Sequence, residues 1–294
     1  MLPAESIEDL PTFPAFKELT IGVCGRLVAL PAFPALKELD IDLCKGLKVL
    51  QTYPALKKLI IRSCKGLKNL PTFLALKELT INFCDRLVDL PAFPALKKLE
   101  IGFCKGRMVL PNFPALEELK IDSCKGLEVL PRLLAFCELT LNCCDDNILK
   151  SLPNLISLSK LYIWGFKETT TFSVLHTQLP AISSSSTTTE ISRGTLSTML
   201  QYLWISNFPI LESLSLKDFT SLKKLEISHC PKLVSFSEEL LSTTLEHLVI
   251  RECPIKLLPK GLQNLLSLET LEIDQCNSLE SFPEDGLPTS IRRL

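Results

Sequence analysis

A stack of strand-and-return units is the fold class the sequence predicts, on three observations. Nearly the same line is written seven times at an unvarying step of 20 residues, as in "FPAFKELTIGVCGRLVAL" (13–30), "FPALKELDIDLCKGLKVL" (33–50) and "FPALKKLEIGFCKGRMVL" (93–110). A fixed period of that length signals stacked units rather than a closed globule. Within each line, an alternation such as Leu39-x-Ile41 has the period of a strand with one buried face. Two prolines three apart, Pro31 and Pro34, lack N–H groups and leave no room for a helical return, so the return should be extended, polyproline-like or a 3-10 turn.

The lines align to P-x-F-P-A-L-K-x-L-x-I-x-x-C-x-x-L-x-x-L. Its centre is L-x-x-L-x-L-x-x-N/C-x-L, the leucine-rich-repeat signature, with one extra residue before the next leucine. In the second copy these positions are Leu36, Leu39, Ile41, Cys44, Leu47 and Leu50. One copy cannot hide its leucines, but a stack can, and each buried Leu or Ile is worth about 1.5–3 kcal/mol against exposure. The expectation is a leucine-rich-repeat solenoid, a horseshoe of the α/β class. Its parallel strands, about 4.8 Å apart, would line the concave side, and its bulkier extended or 3-10 return segments the convex side.

Strands should centre on 19–21 and recur every 20 residues to 139–141. They should continue at 161–163, 203–205, 225–227, 248–250 and 271–273. Residues 1–150 thus form the regular 20-residue repeats, and 151–294 the irregular 22–23-residue repeats of one continuous solenoid. The jump of 42 residues from Leu161 to Leu203 holds "AISSSSTTTEISRGT", a tract too polar to pack and read as a disordered loop at about 183–198. A degenerate repeat around 179–182 would precede it. "LPTSIRRL" starts another copy, and neither end shows a polar cap, so the chain reads as cut from a longer protein at both ends.

Hydrophobic residues make up 46 % of the 294, enough for a continuous core. Lys plus Arg (32) balance Asp plus Glu (33), which gives no case for nucleic acid or an anionic membrane as partner. No apolar run reaches the roughly 18 residues of a membrane span. The start, "MLPAESIEDLP", lacks the regions of a secretory signal. None of nine Asn residues lies in an N-x-[ST] site, so the cytoplasm is the expected location.

Ten of the twelve cysteines share the turn position after the strand: Cys24, Cys44, Cys64, Cys84, Cys104, Cys124, Cys144, Cys230, Cys253 and Cys276. Phe166 and Phe208 take that slot in two irregular copies. A cysteine there offers a small apolar body and a weak donor where Asn is common. Disulfides would need a rule of partner choice along an evenly spaced file. Zinc sites show close Cys pairs rather than singles 20 residues apart. A catalytic thiol needs a basic neighbour, which His229 beside Cys230 meets only loosely. The structural ladder is the reading preferred.

Departures from the template carry expectations of their own. Arg107 replaces a core leucine, so that copy should be looser, with Met108 turned inward. Leu74 replaces the second proline, and the seventh copy decays after Cys144 into "DDNILKSLP".

Catalysis finds little support: three histidines, no G-x-S-x-G, no H-E-x-x-H, no P-loop and no paired metal-ligand motif. No cofactor is expected. Two lysine files, one at Lys17, Lys37, Lys57, Lys77 and Lys97, the other at Lys45, Lys65, Lys105 and Lys125, read as solvated rims. Glu18, Glu38 and Glu78 offset their charge.

The outward strand positions, and the residue before each cysteine, change from copy to copy while the buried columns barely vary. Asp40, Arg62, Glu100, Lys120, Leu43, Phe83 and Phe103 are the candidates there for contact with a protein. "KLYIWGF" and "QYLWISNF" add Tyr162, Trp164, Tyr202 and Trp204, with Tyr162 beside Trp204 if the long excursion loops out. Trp and Tyr are favoured interface anchors. They are also common in strands, or could lie beneath the Ser/Thr-rich loop.

"LKKLEISHCPKLVSF", "LEHLVIRECPIKLLP" and "LETLEIDQCNSLESFPEDGLPTSIRRL" resemble the C-terminal leucine-rich repeats of plant nucleotide-binding (NB-ARC) disease-resistance receptors. The resemblance covers most of the chain and implies the recognition domain of an intracellular immune receptor. Such a domain senses pathogen effectors, or host proteins, and restrains a nucleotide-binding switch domain absent from this chain. The rival is the substrate-recruiting subunit of an F-box-type ubiquitin ligase, whose repeats also favour Cys. Those run near 26 residues with an "ITD" step and a helix, whereas here K-G-L or P-K-L follows the Cys.

Overall fold

The computed structural model describes residues 16–87, 89–127, 129–131, 136–172, 199–216, 219–236 and 241–294. The chain divides into two compact units, Met1–Phe136 and Cys137–Leu294. Each is a parallel β-solenoid of leucine-rich-repeat type.

The first unit holds β1 (Glu18–Gly22), β2 (Glu38–Asp42), β3 (Lys58–Arg62), β4 (Glu78–Asn82), β5 (Lys98–Gly102) and β6 (Glu118–Asp122). Each pairs in parallel with the next at a register equal to the repeat, as in Leu39↔Leu59 and Ile41↔Ile61. Period and register coincide, so identical residues stack in columns. Leu39, Leu59, Leu79, Ile41, Ile61 and Ile81 are all at most 1 % exposed. In β1, the first described strand, Leu19 and Ile21 are half-buried.

The return segments follow from proline chemistry. The Leu36 N–H bonds the Phe33 carbonyl at 3.2 Å, closing a turn with Pro34 in its second position, where a fixed φ suits it. Tyr53–Leu56, Phe93–Leu96 and Phe113–Leu116 repeat the bond at 3.1, 3.3 and 3.2 Å. Leu74 occupies the proline's place, yet Leu76 still bonds Phe73 at 3.4 Å. The aromatic residue opening each turn points inward. Phe33, Tyr53, Phe73, Phe93 and Phe113 form a stacked internal ladder with ring centroids 6.1–6.4 Å apart. Tyr53 is its one phenol: 1 % exposed, with a hydroxyl that finds no hydrogen-bond partner.

Arg107 is exposed and Met108 is buried in its stead, as expected of that copy. The Met108 N–H reaches the Gly126 carbonyl at 3.3 Å. Backbone approaches so closely here that a Cβ on Gly126 would run into the Gly106 carbonyl.

The second unit holds β7 (Glu138–Asn142), β8 (Lys160–Trp164), β9 (Thr171–Phe172), β10 (Tyr202–Ser206), β11 (Ser213–Leu214), β12 (Lys224–Ser228), β13 (His247–Arg251) and β14 (Thr270–Asp274). β7, β8, β10, β12, β13 and β14 pair in that order, all parallel, while β9 pairs with β11 on the return path. "DDNILKSLP" becomes a 3-10 run, Asp146–Asn154, capped by the Asp145 carboxylate, which accepts the Asn147 N–H at 2.9 Å. A second 3-10 run is Leu262–Asn264. The final "SIRRL" starts a strand in register: Arg292 and Arg293 N–H groups donate to the Glu269 carbonyl, and Leu271 donates to Arg293. The Ser/Thr-rich loop expected at 183–198, and the degenerate repeat at 179–182, lie outside the described residues. Among those described, no helix is long and apolar enough to cross a membrane.

Candidate protein-binding surface

What presents the outward side chains is a repeated device at the strand ends. The residue after each five-residue strand adopts a left-handed conformation, at φ 58 for Val23, 53 for Leu43, 57 for Phe83 and 53 for Phe103. This turn keeps the ladder going for one more bond: the Val23 N–H donates to the Asp42 carbonyl at 3.0 Å, and Phe83 to Gly102 at 3.0 Å. It also swings the following cysteine inward. Each cysteine of the column then donates its thiol to the carbonyl two residues back, from Cys44 to Asp42 at 3.4 Å through Cys84 to Asn82 at 3.3 Å to Cys253 to Arg251 at 3.2 Å. A single carbonyl thus serves the thiol of its own copy and the N–H of the copy before.

All twelve cysteines are free thiols. Burial pushes Cys64 up to about 11 and Cys84 to about 12, away from thiolate reactivity. His229 turns outward to Glu252, at 3.0 Å, while buried Cys230 donates to Ser228, so the two form no nucleophile–base pair. Phe166 and Phe208 fill the cysteine slot as buried rings stacked at 5.6 Å. Among the described residues, no group of three or more His, Cys, Asp or Glu is placed to hold a metal ion.

In the first unit, the charged candidates meet as pairs across neighbouring strands. The Arg62 guanidinium bonds the Asp40 carboxylate diagonally at 2.9 Å, and Lys120 stands 3.6 Å from Glu100. These side chains are 30–48 % exposed, and such pairs contribute only about 0–1 kcal/mol to stability. Their consequence is to fix where charge sits on the sheet. A shallow recess of about 170 Å³ opens beside Asp40 and Ile60. Leu43, Phe83 and Phe103 lie off the strands proper, in the left-handed file; Phe83 and Phe103 stack at 4.7 Å with planes 7° apart while remaining 48 % and 42 % exposed.

In the second unit, the aromatic candidates come together. Direct pairing of β8 with β10 sets Tyr162 opposite Trp204, with ring centroids 6.3 Å apart and nearly edge-on. Tyr162 and Tyr202 approach to 4.9 Å. Trp164 stands one outward position further along, between Asn142 and Ser206 in the register. All four are half-buried. The Tyr202 hydroxyl donates to the Glu226 carboxylate at 3.1 Å, and Lys224 bonds that same carboxylate at 2.6 Å while lying 5.3 Å from the Tyr202 ring centre. Burial first, then the nearby carboxylates of Glu226 and Glu138, push the Tyr202 and Tyr162 phenols upward, so both stay neutral donors. The result is a packed platform with apolar faces and a polar, charge-paired border.

Two features escaped the sequence reading. The Phe/Tyr column is as regular as the leucines, and that regularity was its signal. The left-handed file has no signal, because the Val, Leu, Ser and Phe found in it are poor formers of that conformation.

No family model matches this chain, and no curated protein does. Eleven chains among solved structures match it. One belongs to the crystal structure of a TLR13–ssRNA13 complex, at 16 % identity and a TM-score of 0.39. That match covers 88 % of this chain and 43 % of the other, so this chain spans less than half of that protein's length.

Proposed function

We propose that the chain is a non-catalytic recognition domain that grips another protein on the outward faces of its strands, within a cytoplasmic plant immune receptor of the nucleotide-binding, leucine-rich-repeat kind. It senses a pathogen effector or a host protein, and it restrains a nucleotide-binding switch domain encoded outside these residues. One observation carries this reading: a constant buried lattice presents changing outward side chains, with Tyr162 set against both Tyr202 and Trp204 where the strands pair. Half-buried, pre-packed Tyr and Trp give contact area at small entropic cost. Return segments built of turns and short 3-10 runs also fit this reading better than the helix-bearing repeats of F-box subunits.

The test has two arms. The full transcript should encode a P-loop domain joined to this chain; an F-box in its place would transfer the chain to the ligase class. Trp164→Ala with Trp204→Ala should then abolish co-purification with that nucleotide-binding domain, or the effector response, while circular dichroism stays unchanged. Undiminished association and response would remove the aromatic platform from the account.

A further inference from the structure

The two lysine files, close in sequence, occupy opposite ends of the strands. Lys17, Lys37, Lys57, Lys77 and Lys97 precede the strands, beside the outward Glu18, Glu38 and Glu78; at this end Lys97 pairs with Glu117 at 2.6 Å. Lys45, Lys65, Lys105 and Lys125 follow the cysteines, with Lys48 and Lys68 three residues beyond Lys45 and Lys65. All six of these later lysines are exposed, and none makes an ion pair among the described residues. The six segments leaving β1 to β6 hold nine Lys or Arg in sequence against three acids, Asp85, Asp89 and Glu128. Asp85 is already engaged, accepting the Lys105 N–H at 3.0 Å. The near-zero net charge of the chain therefore conceals a basic edge.

Alongside these cations runs the left-handed file, where Val23, Leu43, Phe83 and Phe103 are 77 %, 39 %, 48 % and 42 % exposed. A branched or aromatic side chain is disfavoured at such φ, where Asn or Gly would serve the turn, so folding does not account for these residues. Ser63 and Ser123 flank the Phe83–Phe103 stack in the file, leaving the outer face of each ring beside a small neighbour.

We propose that this edge of unit Met1–Phe136 docks an extended, acidic polypeptide segment that also carries apolar side chains. Its carboxylates would meet the lysine file, and its Phe or Leu side chains the left-handed file. Charge complementarity selects an anionic partner. The aliphatic Val23 and Leu43, which give a nucleobase no face to stack on, select a peptide over a single-stranded nucleic acid. Six copies at about 4.8 Å span roughly 24 Å, the length of about eight extended residues. The site is independent of the aromatic platform in the other unit.

The test uses the whole chain and fluorescence anisotropy with a labelled synthetic peptide of about eight residues, Glu alternating with Phe and Leu. Comparators are the same peptide with Ser for every Phe and Leu, and an oligouridylate of equal charge. The alternating peptide should bind at least about tenfold tighter than either comparator, and more weakly as salt rises. Lys65→Glu with Lys105→Glu should weaken it about tenfold. Phe83→Asn with Phe103→Asn, which suits the positive φ, should weaken it comparably and leave the salt dependence unchanged. Trp164→Ala with Trp204→Ala should not alter it. A serine peptide or oligouridylate binding as tightly, or indifference to the edge variants, would overturn the proposal.

Discussion

Tyr162 and Trp204 are strand partners, ring centroids 6.3 Å apart, although 42 residues separate them. That contact exists because β10 pairs directly with β8, and it separates two kinds of side chain on one strand. Trp204 looks outward and is half-buried, whereas its neighbour Leu203 is 0 % exposed. Leu203→Ala should cost about 2–5 kcal/mol by urea unfolding, from lost transfer energy plus a cavity. Trp204→Ala should cost only about 1–2 kcal/mol. Equal losses would mean that the aromatic platform belongs to the core rather than to a binding face.

Leu74 stands where the neighbouring copies place proline in the second position of a turn, and it is 71 % exposed. Phe73 before it matches the Phe or Tyr that precedes proline in those copies. Leu74→Pro should stabilise by about 0.4–1 kcal/mol, chiefly by restricting the unfolded chain. The urea midpoint should rise at unchanged slope. A fall would show that this turn differs from its neighbours.

Tyr53 breaks a ladder of phenylalanines by placing a hydroxyl in a dry stack. Its phenol is pushed up to about 12 by burial, and an unmet buried hydroxyl costs about 1–3 kcal/mol. Tyr53→Phe should therefore stabilise by about 1 kcal/mol, seen as a higher midpoint in urea. Destabilisation would mean that the Gln51 backbone, which draws this phenol down against the effect of burial, satisfies the hydroxyl despite imperfect geometry.

Two of the buried thiols, Cys64 and Cys84, fix a pH window. Cys64 and Cys84 are raised from 9.0 to about 11 and about 12, so the folded state holds these protons more firmly than the unfolded chain. Their contribution is complete below about pH 9 and is lost as pH rises through 11 to 12. Between about pH 9 and 12 the unfolding free energy should therefore fall less in Cys64→Ala with Cys84→Ala than in the parent chain. A fall unchanged in the double variant would place its origin elsewhere.

The sequence displayed some of this architecture openly and hid the rest for physical reasons. Strand positions and the inward cysteine column were legible because a period of 20 residues and a register of 20 residues are the same constraint seen twice. Met108 for Arg107 was legible because a buried column does not accept a guanidinium. The Tyr162–Trp204 contact followed from treating the excursion as a loop, and it stands. The Phe ladder was overlooked because the turn was read from its prolines, whose restraint on φ obscured the ring beside them. The separation of the two lysine files was not legible, because Lys37 and Lys45 are near in sequence but lie at opposite ends of a strand.

The central claim, copies stacked so that each buries the next one's turn cysteine, is tested most directly by timed alkylation of the native chain, read cysteine by cysteine in a mass spectrometer. Cys24 and Cys137, both exposed, should be modified first, and the half-buried Cys143 and Cys276 next. Cys44, Cys64, Cys84, Cys104, Cys124, Cys144, Cys230 and Cys253 should be modified only on unfolding, after which all twelve react. Modification of the inner column at the rate of Cys24, or disulfides in place of thiols, would contradict it.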